Sequence, residues 1–243
     1  MPDSKRIPLH RDPRAGLPPL TPIVQEPPGK PAARMQRYLL QCAIEIMNSG
    51  RIPSVSEVAE AAQVSRATAY RYFPTRSKLI AAVTDYSLGP VRTWRSESPD
   101  GYARIDELLV TSLPRFEEFE VPLRASVQVA LEHEALERAG LLKEERYRRG
   151  YRRGILGHAA EPLRARLSVK QFERLLRGLS LIFGIEPYIV VKDMWGGTNE
   201  EASLLARWVA RAMIDASLRE AAEPEGKATK PVKLVSSRKK KSI

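Results

Sequence analysis

Hydroxyl and guanidinium side chains alternate with small residues in one short stretch of the chain. Residues 65–72 read Ser-Arg-Ala-Thr-Ala-Tyr-Arg-Tyr. Hydroxyl and guanidinium groups hydrogen-bond readily to phosphate oxygens and to the base edges of DNA. The alanines at 67 and 69 are small enough to allow close packing on a preceding helix. The opposite face then predicts a DNA-contacting surface made of Arg66, Thr68, Tyr70, Arg71 and Tyr72.

Two short helices joined by a tight turn would position this surface. Ser54 followed by Glu57 is a capping-box pattern, and apolar residues at 55, 58, 59 and 62 give the first helix one apolar face. Ser65 is placed to cap the second helix. The pattern is that of a helix-turn-helix, whose second helix enters the major groove.

Flanking patterns extend this unit on both sides. Apolar residues repeat at helical spacing from Met35 to Met47, and Asn48-Ser49-Gly50 ends that helix. After the motif, Thr75 is placed to cap a further helix that opens with Arg76 and Lys78.

The run VSRATAYRYFPTRSKL, from Val64 to Leu79, together with the helix before it, resembles the tetracycline-repressor (TetR) family of bacterial transcription regulators. The resemblance covers residues 34–86 strongly and 87–220 in outline. It implies phosphate contacts for Tyr70 and Arg76. Arg71 has an alternative, which is an ion pair with Glu45 or Glu57. The candidate DNA-binding residues are Ser54, Ser65, Arg66, Thr68, Tyr70, Arg71, Tyr72, Arg76 and Lys78.

Two positions depart from the family pattern. Gln63 stands in the turn where the family usually has Gly, and a left-handed conformation there costs a non-glycine residue on the order of 1 kcal/mol. We therefore expect either local strain at Gln63 or a slightly different turn. Ala69 stands where the family often has Leu, which implies a looser contact between the two helices.

The net charge of +11 is unevenly distributed over the 243 residues. Residues 1–33 carry +2, residues 34–86 carry +3, residues 87–220 carry +1 and residues 221–243 carry +5. The positive charge therefore coincides with the predicted DNA-binding unit and the two ends, as expected for a molecule that meets phosphate.

Composition divides the chain into four parts. Residues 1–33 hold nine of the 19 prolines and are expected to be a disordered arm, either touching DNA or without a role. Residues 34–86 form the helix-turn-helix domain, and 87–220 form a helical effector-binding and dimerisation domain. Residues 221–243 are expected to be a disordered basic tail, which either attracts DNA or is merely solvated. The fold class is all-α, with about nine helices in all.

Periodicity predicts five helices in the larger domain. Capping boxes at Ser168 and Thr198 open the last two, and Gly196-Gly197 closes the fourth. A proline should end the first of the five, and Pro187 should kink the fourth. The arginines at 146–153 are expected to form a solvated face paired with Glu144 and Glu145, although they could attract an anionic ligand. The predicted ranges are 102–113, 120–139, 141–159, 168–191 and 198–218.

The last two predicted helices are apolar over more than one face, which indicates a second packing partner. The resemblance implies a homodimer formed there, for which Leu179, Phe183, Leu205, Trp208 and Met213 are the candidate contacts. It also implies a small-molecule effector bound among the middle helices, although ordinary packing explains the same side chains. The polar and aromatic candidates for that pocket are Phe116, Phe119, His133, Tyr147, Tyr151 and His158.

Several classes of function lack support in the sequence. It has no catalytic triad pattern, phosphate-binding glycine loop or metal-ligand spacing, so we expect no enzyme, no cofactor and no metal. The single cysteine, Cys42, is expected to be a packed core residue. No stretch is long and apolar enough for a membrane span or a signal peptide, so we expect a cytoplasmic bacterial protein that joins the nucleoid when bound to DNA.

The sequence therefore predicts a sequence-specific regulator that binds a double-stranded operator. The expected form is a dimeric repressor released from a palindromic site by a small effector. Two alternatives stay open. One is a non-specific or architectural nucleic-acid-binding protein, and the other is an activator or ligand-independent regulator of the same fold.

Overall fold

The computed structural model describes residues 31–147 and 152–223, and in these ranges every regular element is helical. This confirms the predicted all-α class. The ten α-helices are α1 (Pro31–Asn48), α2 (Val55–Ala61), α3 (Arg66–Tyr72), α4 (Arg76–Leu88), α5 (Gly101–Glu118), α6 (Glu120–Arg138), α7 (Arg152–Ala160), α8 (Val169–Ile182), α9 (Ile185–Trp195) and α10 (Asn199–Ala222), with short 3-10 helices at Gly89–Thr93 and Glu161–Arg166.

The predicted arm and tail fall mostly on residues 1–30 and 224–243, which lie outside the described residues. Residues 31–33, assigned to the arm, instead form the first turn of α1. No helix in the described part of the chain is long and apolar enough to cross a membrane.

Side-chain caps begin the helices of the helix-turn-helix. The Ser54 amide donates to Glu57 Oε2 at 2.8 Å, and the Glu57 amide donates to Ser54 Oγ at 3.2 Å, which completes the predicted capping box. Ser65 caps α3 and Thr75 caps α4, each by accepting from the amide three residues later. These bonds satisfy amides that a helix start leaves without partners.

In the turn between α2 and α3, Gln63 adopts the strained, left-handed conformation, which was one of the two alternatives expected there. Gln63 has a φ of +54° and is the one non-glycine residue with positive φ in the described ranges. Ala69 is fully buried against α2, whereas Ala67 is exposed and does not contribute to that packing as expected. Of the two alanines, only Ala69 therefore packs in the interior.

Two groups of buried apolar side chains form the interior. One joins α1 to α4, where Leu39, Met47 and Ile80 are almost completely buried, and it includes Val129 of α6. Cys42 is buried in this group, which confirms that it is a packed core residue. The other group joins α5 to α10 and includes Leu123 of α6. Because α6 contributes to both, it connects the helix-turn-helix region to the larger helical part.

The first helix of the larger part runs further than predicted. Pro114 lies inside α5, which continues to Glu118. An internal proline costs about 3 kcal/mol through a lost hydrogen bond and a steric clash. Burial of Leu113 and Phe116 on either side offsets this, since each contributes roughly 1.5–3 kcal/mol.

The predicted helix over 141–159 is wrong for its first part. Gly140, with a φ of +70°, ends α6, and residues 141–147 are not helical. We call residues 141–147 the connecting segment. It is held by bonds to other elements, as the next subsection describes, and a helical form would forgo them.

The predicted long helix over 168–191 is two helices. Its capping box at Ser168 is present, but the chain leaves the helix at Phe183 and turns at Gly184, whose φ is +124°. Pro187 lies in the first turn of α9, where its missing N–H leaves no bond unmade, so it causes no kink. Gly196 ends α9 in a left-handed conformation as expected, and the capping box at Thr198 opens α10.

Candidate nucleic-acid interface and internal cavity

Helix α3 has one buried face and one outward face. Ala69 packs inward with no exposed surface, while Arg66, Arg71 and Tyr70 are exposed, Tyr70 to 43%. Thr68 and Tyr72 are half-buried at the edges of this face. The structure thus brings the predicted contact residues of α3 together on one surface, which we call the α3 face.

Short-range hydrogen bonds orient the hydroxyls of this surface. Ser65 Oγ accepts from the Thr68 amide at 3.1 Å and lies 2.9 Å from Thr68 Oγ1. The Tyr70 hydroxyl lies 3.3 Å from Ser56 Oγ of α2. Ser56 was not predicted as a site residue, because only the packing of α2 on α3 places it there. Ser54 serves as the cap of α2, which fully accounts for its hydroxyl.

The two arginines of the α3 face have no ion pair within the described part of the chain. Arg71 lies over the Tyr72 ring, 5.5 Å from its centroid, and does not pair with Glu45 or Glu57 as the alternative proposed. Glu57 pairs with Arg51 at 3.2 Å instead. The hydrogen bonds from Ser54, first of all from its amide, hold the pKa of Glu57 below its usual value. Because Arg66 and Arg71 are exposed and have no acidic partner in the described ranges, they present their positive charge outward.

Arg76 and Lys78, at the start of α4, are engaged within the molecule. Arg76 Nη1 lies 3.3 Å from Glu132 of α6, and Lys78 Nζ lies 2.7 Å from Glu145 of the connecting segment. The Nε of Arg76 is buried and makes no hydrogen bond with the described residues. A phosphate contact by either residue would compete with these ion pairs.

A chain of hydrogen bonds links the start of α4 to the interior. The Ser77 amide donates to a carboxylate oxygen of Glu144 at 3.0 Å, and the Ser77 hydroxyl donates to the Glu145 carbonyl oxygen at 2.6 Å. The buried His133 accepts from the Tyr147 amide at Nδ1, and its Nε2 faces Glu144 at 3.5 Å. The connecting segment is therefore fixed to both α4 and α6.

A cavity of about 340 Å³ lies between α4, α5, α6 and the break between α8 and α9. Its wall is mainly apolar, with a few hydroxyl and charged groups. Pockets for small molecules in proteins have this size and composition. The lining residues are Ala81, Thr84, Asp85, Leu88, Val91, Arg92, Phe116, Leu123, Ser126, Tyr147, Arg152, Ile155, Phe183, Gly184 and Ile185.

Two of the six predicted pocket residues, Phe116 and Tyr147, line this cavity. Phe119 does not line it but is buried under Arg115, whose guanidinium lies 4.1 Å from the ring centroid. His133 holds the connecting segment, and His158 accepts from the Ser96 amide at 3.2 Å. Tyr151 lies outside the described residues.

Most cavity residues were not predicted, because they come from four separate parts of the chain between 81 and 185. Phe183, assigned to the dimer interface, is buried and lines the cavity, with its ring centroid 6.1 Å from that of Phe116. Arg152 bonds Glu186, and Arg146 bonds Glu134 and Glu137. The expected pairing of the 146–153 arginines with Glu144 and Glu145 is thus wrong for these two.

The remaining dimer candidates divide into buried and exposed residues. Leu179 is 1% exposed and belongs to the subunit interior, so its assignment to an interface is wrong. Met213 is half-buried near Gly178 of α8. Leu205 and Trp208 of α10 are 48% and 63% exposed. Of the predicted set, these two form the outward apolar surface of α10.

The chain is similar to known proteins in sequence and in fold. Residues 54–83 match the family model for bacterial regulatory proteins of the tetR family. Among solved structures, a crystal structure of a candidate tetR-family transcriptional regulator from Mesorhizobium loti MAFF303099 has a similar fold, with a TM-score of 0.52 and 20% identity. The alignment covers 79% of this chain and 98% of that one. Among curated proteins, no relative matches the sequence.

Proposed function

We propose that this chain, a tetR-family protein by its helix-turn-helix region and its helical fold, is a dimeric repressor that binds a palindromic operator and is released by a small molecule. The observation that carries the proposal is the α3 face. It presents two arginines unpaired with acids in the described ranges and a tyrosine hydroxyl, while Ala69 fixes the helix from behind.

The α3 face suits the major groove of DNA. Guanidinium groups bond bidentately to guanine O6 and N7, so Arg66 and Arg71 are the candidates for base recognition. Tyr70 and Thr68 offer hydroxyls for phosphate oxygens. Arg76 and Lys78 would add phosphate contacts by exchanging Glu132 and Glu145 for DNA.

The exposed surface of α10 supports a dimer. A tryptophan that is 63% exposed beside an exposed leucine is typical of an interface, where aromatic residues are enriched. Pairing through α10 would place two α3 helices in one particle. Two such helices read half-sites one DNA turn apart, roughly 34–36 Å, or a multiple of it.

The cavity supports release by an effector. Tyr147 lines the cavity and lies at the end of the connecting segment, which bonds to Ser77 at the start of α4. A ligand that displaces Tyr147 would therefore move the helix that follows α3. Differential affinity of the ligand for two positions of α4 would shift the equilibrium between DNA-competent and DNA-incompetent forms.

Selection of binding sites from random duplex DNA, with the full chain at near-physiological salt, tests the proposal. We expect enrichment of one palindrome. Binding to all sequences without enrichment, with a steep dependence on salt, would instead favour the architectural alternative. Transcription from a promoter carrying the selected site would then distinguish a repressor from an activator.

A further inference from the structure

We infer that the internal cavity takes an uncharged, mainly apolar molecule carrying a hydrogen-bond donor, such as a medium-chain alcohol, in preference to carboxylates and amines. The inference rests on the proposed role of the cavity as the effector site, and it adds the chemical class of that effector. It follows from three properties of the wall, which are its apolar surface, the direction of its hydroxyl bonds and the cancellation of its charges.

The apolar surface sets the main attraction. Phe116 and Phe183 meet edge to face on one side, and Leu88, Leu123 and Ile155 complete the wall. Transfer of apolar groups from water into such a space is favourable in proportion to the area that they bury. A ligand that is polar over most of its surface would lose its hydration without replacement bonds.

The hydroxyls of the wall already use their protons within the protein. Thr84 donates to the Ile80 carbonyl oxygen at 2.8 Å, so the Tyr147 hydroxyl, 3.0 Å away, donates to Thr84. Ser126 donates to the Leu123 carbonyl oxygen at 2.7 Å. What these groups still offer is oxygen lone pairs, which accept hydrogen bonds. Their complement in a ligand is therefore an O–H or N–H group.

Each charged group of the wall has an opposite partner, which for Arg152 is Glu186, a residue outside the wall. Asp85 lies 2.8 Å from Arg92, and Arg152 bonds Glu186 and donates to the Ser180 carbonyl oxygen at 3.2 Å. Each arginine thus has a carboxylate partner. An ionised head group beside these pairs would add one charge without a partner next to a mainly apolar wall, which is unfavourable.

Cavity volume sets the size of the ligand. An apolar cavity of about 150 Å³ accommodates benzene, so one of about 340 Å³ accommodates roughly ten to fifteen non-hydrogen atoms. 1-Decanol, decanoate and decylamine have this size and the same apolar chain. At neutral pH they differ mainly in the charge of the head group, which makes them matched probes.

Calorimetric titration of the full chain with each probe, without DNA, tests the inference. We expect 1-decanol to bind at least tenfold more tightly than decanoate or decylamine. Tighter binding of either ion would overturn the assigned charge preference. Absence of 1-decanol binding up to its solubility would overturn the assigned class as a whole. Because DNA is absent, the result does not depend on whether the chain binds an operator.

Two variants and one control variant locate the bound probe. Ala81→Leu adds volume at the cavity wall and should weaken 1-decanol binding at least tenfold, whereas Ala103→Leu, on the exposed side of α5, should leave it unchanged. Asp85→Asn removes one negative charge beside Arg92, and it should raise the affinity for decanoate relative to 1-decanol at least fivefold. If the wild type, Ala81→Leu and Asp85→Asn bound 1-decanol with one affinity and decanoate with one affinity, the alcohol would lie elsewhere and the inference would be overturned. Thermal unfolding establishes that each variant is folded.

Discussion

The hydroxyl of Ser77 donates a 2.6 Å hydrogen bond to the main-chain carbonyl oxygen of Glu145, joining the first turn of α4 to the connecting segment. Two residues further on, Tyr147 lines the cavity. The first turn of α4, the helix that follows α3, is therefore linked to the cavity wall by one hydrogen bond and a very short stretch of chain. This relationship leads to the first prediction.

Ser77→Ala should loosen the connecting segment without unfolding the protein. Loss of a hydrogen bond of this kind costs about 1 kcal/mol, which corresponds to roughly fivefold faster opening. Hydrogen exchange of the amides in residues 141–147 measures it. Ser87→Ala removes a buried hydroxyl that bonds Val83 within α4, so it is the matched control and should leave that exchange unchanged. Equal rates in the wild type and Ser77→Ala would show that the bond does not hold the segment.

Trp208→Glu should dissociate the proposed dimer. A charge placed in the centre of an apolar interface would be buried without a partner, which costs several kcal/mol per subunit pair. Sedimentation velocity would detect the change from dimer to monomer. Leu131→Glu, at a similarly exposed leucine on α6, is the control and should remain dimeric. If Trp208→Glu sediments as the wild type does, the interface lies elsewhere.

Gln63→Gly should stabilise the helix-turn-helix by relief of strain. The left-handed conformation at φ +54° costs a non-glycine residue on the order of 1 kcal/mol, part of which the greater freedom of glycine in the unfolded chain cancels. We expect a gain of a few tenths of a kcal/mol in the free energy of unfolding. Gln63→Val should destabilise, because a branched side chain tolerates this conformation poorly. Denaturant titration of both variants measures the difference, and a more stable Gln63→Val would contradict the assigned backbone conformation.

Glu57→Gln should show how much of the stability of the capping box comes from the charge of its carboxylate. Because the Ser54 amide bond lowers the pKa of Glu57 in the folded state, its carboxylate stabilises the fold above the unfolded value of about 4.3. That contribution is lost as the pH falls through the folded value. The wild type should therefore be more stable than Glu57→Gln at pH 7, with the difference vanishing in strong acid. Urea unfolding across this range measures it, and a difference that grew on acidification would refute the assignment.

The structural features predicted correctly from the sequence are those that depend on residues close together in the chain. The caps at Ser54, Ser65, Ser168 and Thr198 were predicted because each bond joins residues three positions apart. The strained, left-handed conformation of Gln63 was one of two alternatives expected there, and it too depends on a turn of a few residues.

Features that depend on distant contacts were missed. The connecting segment is non-helical because Ser77 and His133 bond it from other elements, and its own residues favour a helix. Gly184 permits the break after α8, while burial of Phe183 explains why the chain turns there. Phe183 and Leu179 were assigned to a surface because apolar periodicity alone does not reveal which face meets the same subunit.

The most direct test of the central claim is the ratio of affinities for the selected operator and a scrambled duplex, measured at several salt concentrations. Arg66→Ala should lower this ratio by roughly 5- to 150-fold, since a bidentate base contact contributes about 1–3 kcal/mol of discrimination. Arg153→Ala, at an exposed arginine of α7, should leave the ratio unchanged. An unchanged ratio for Arg66→Ala and for Arg71→Ala would contradict the claim that the α3 face recognises the sequence of DNA.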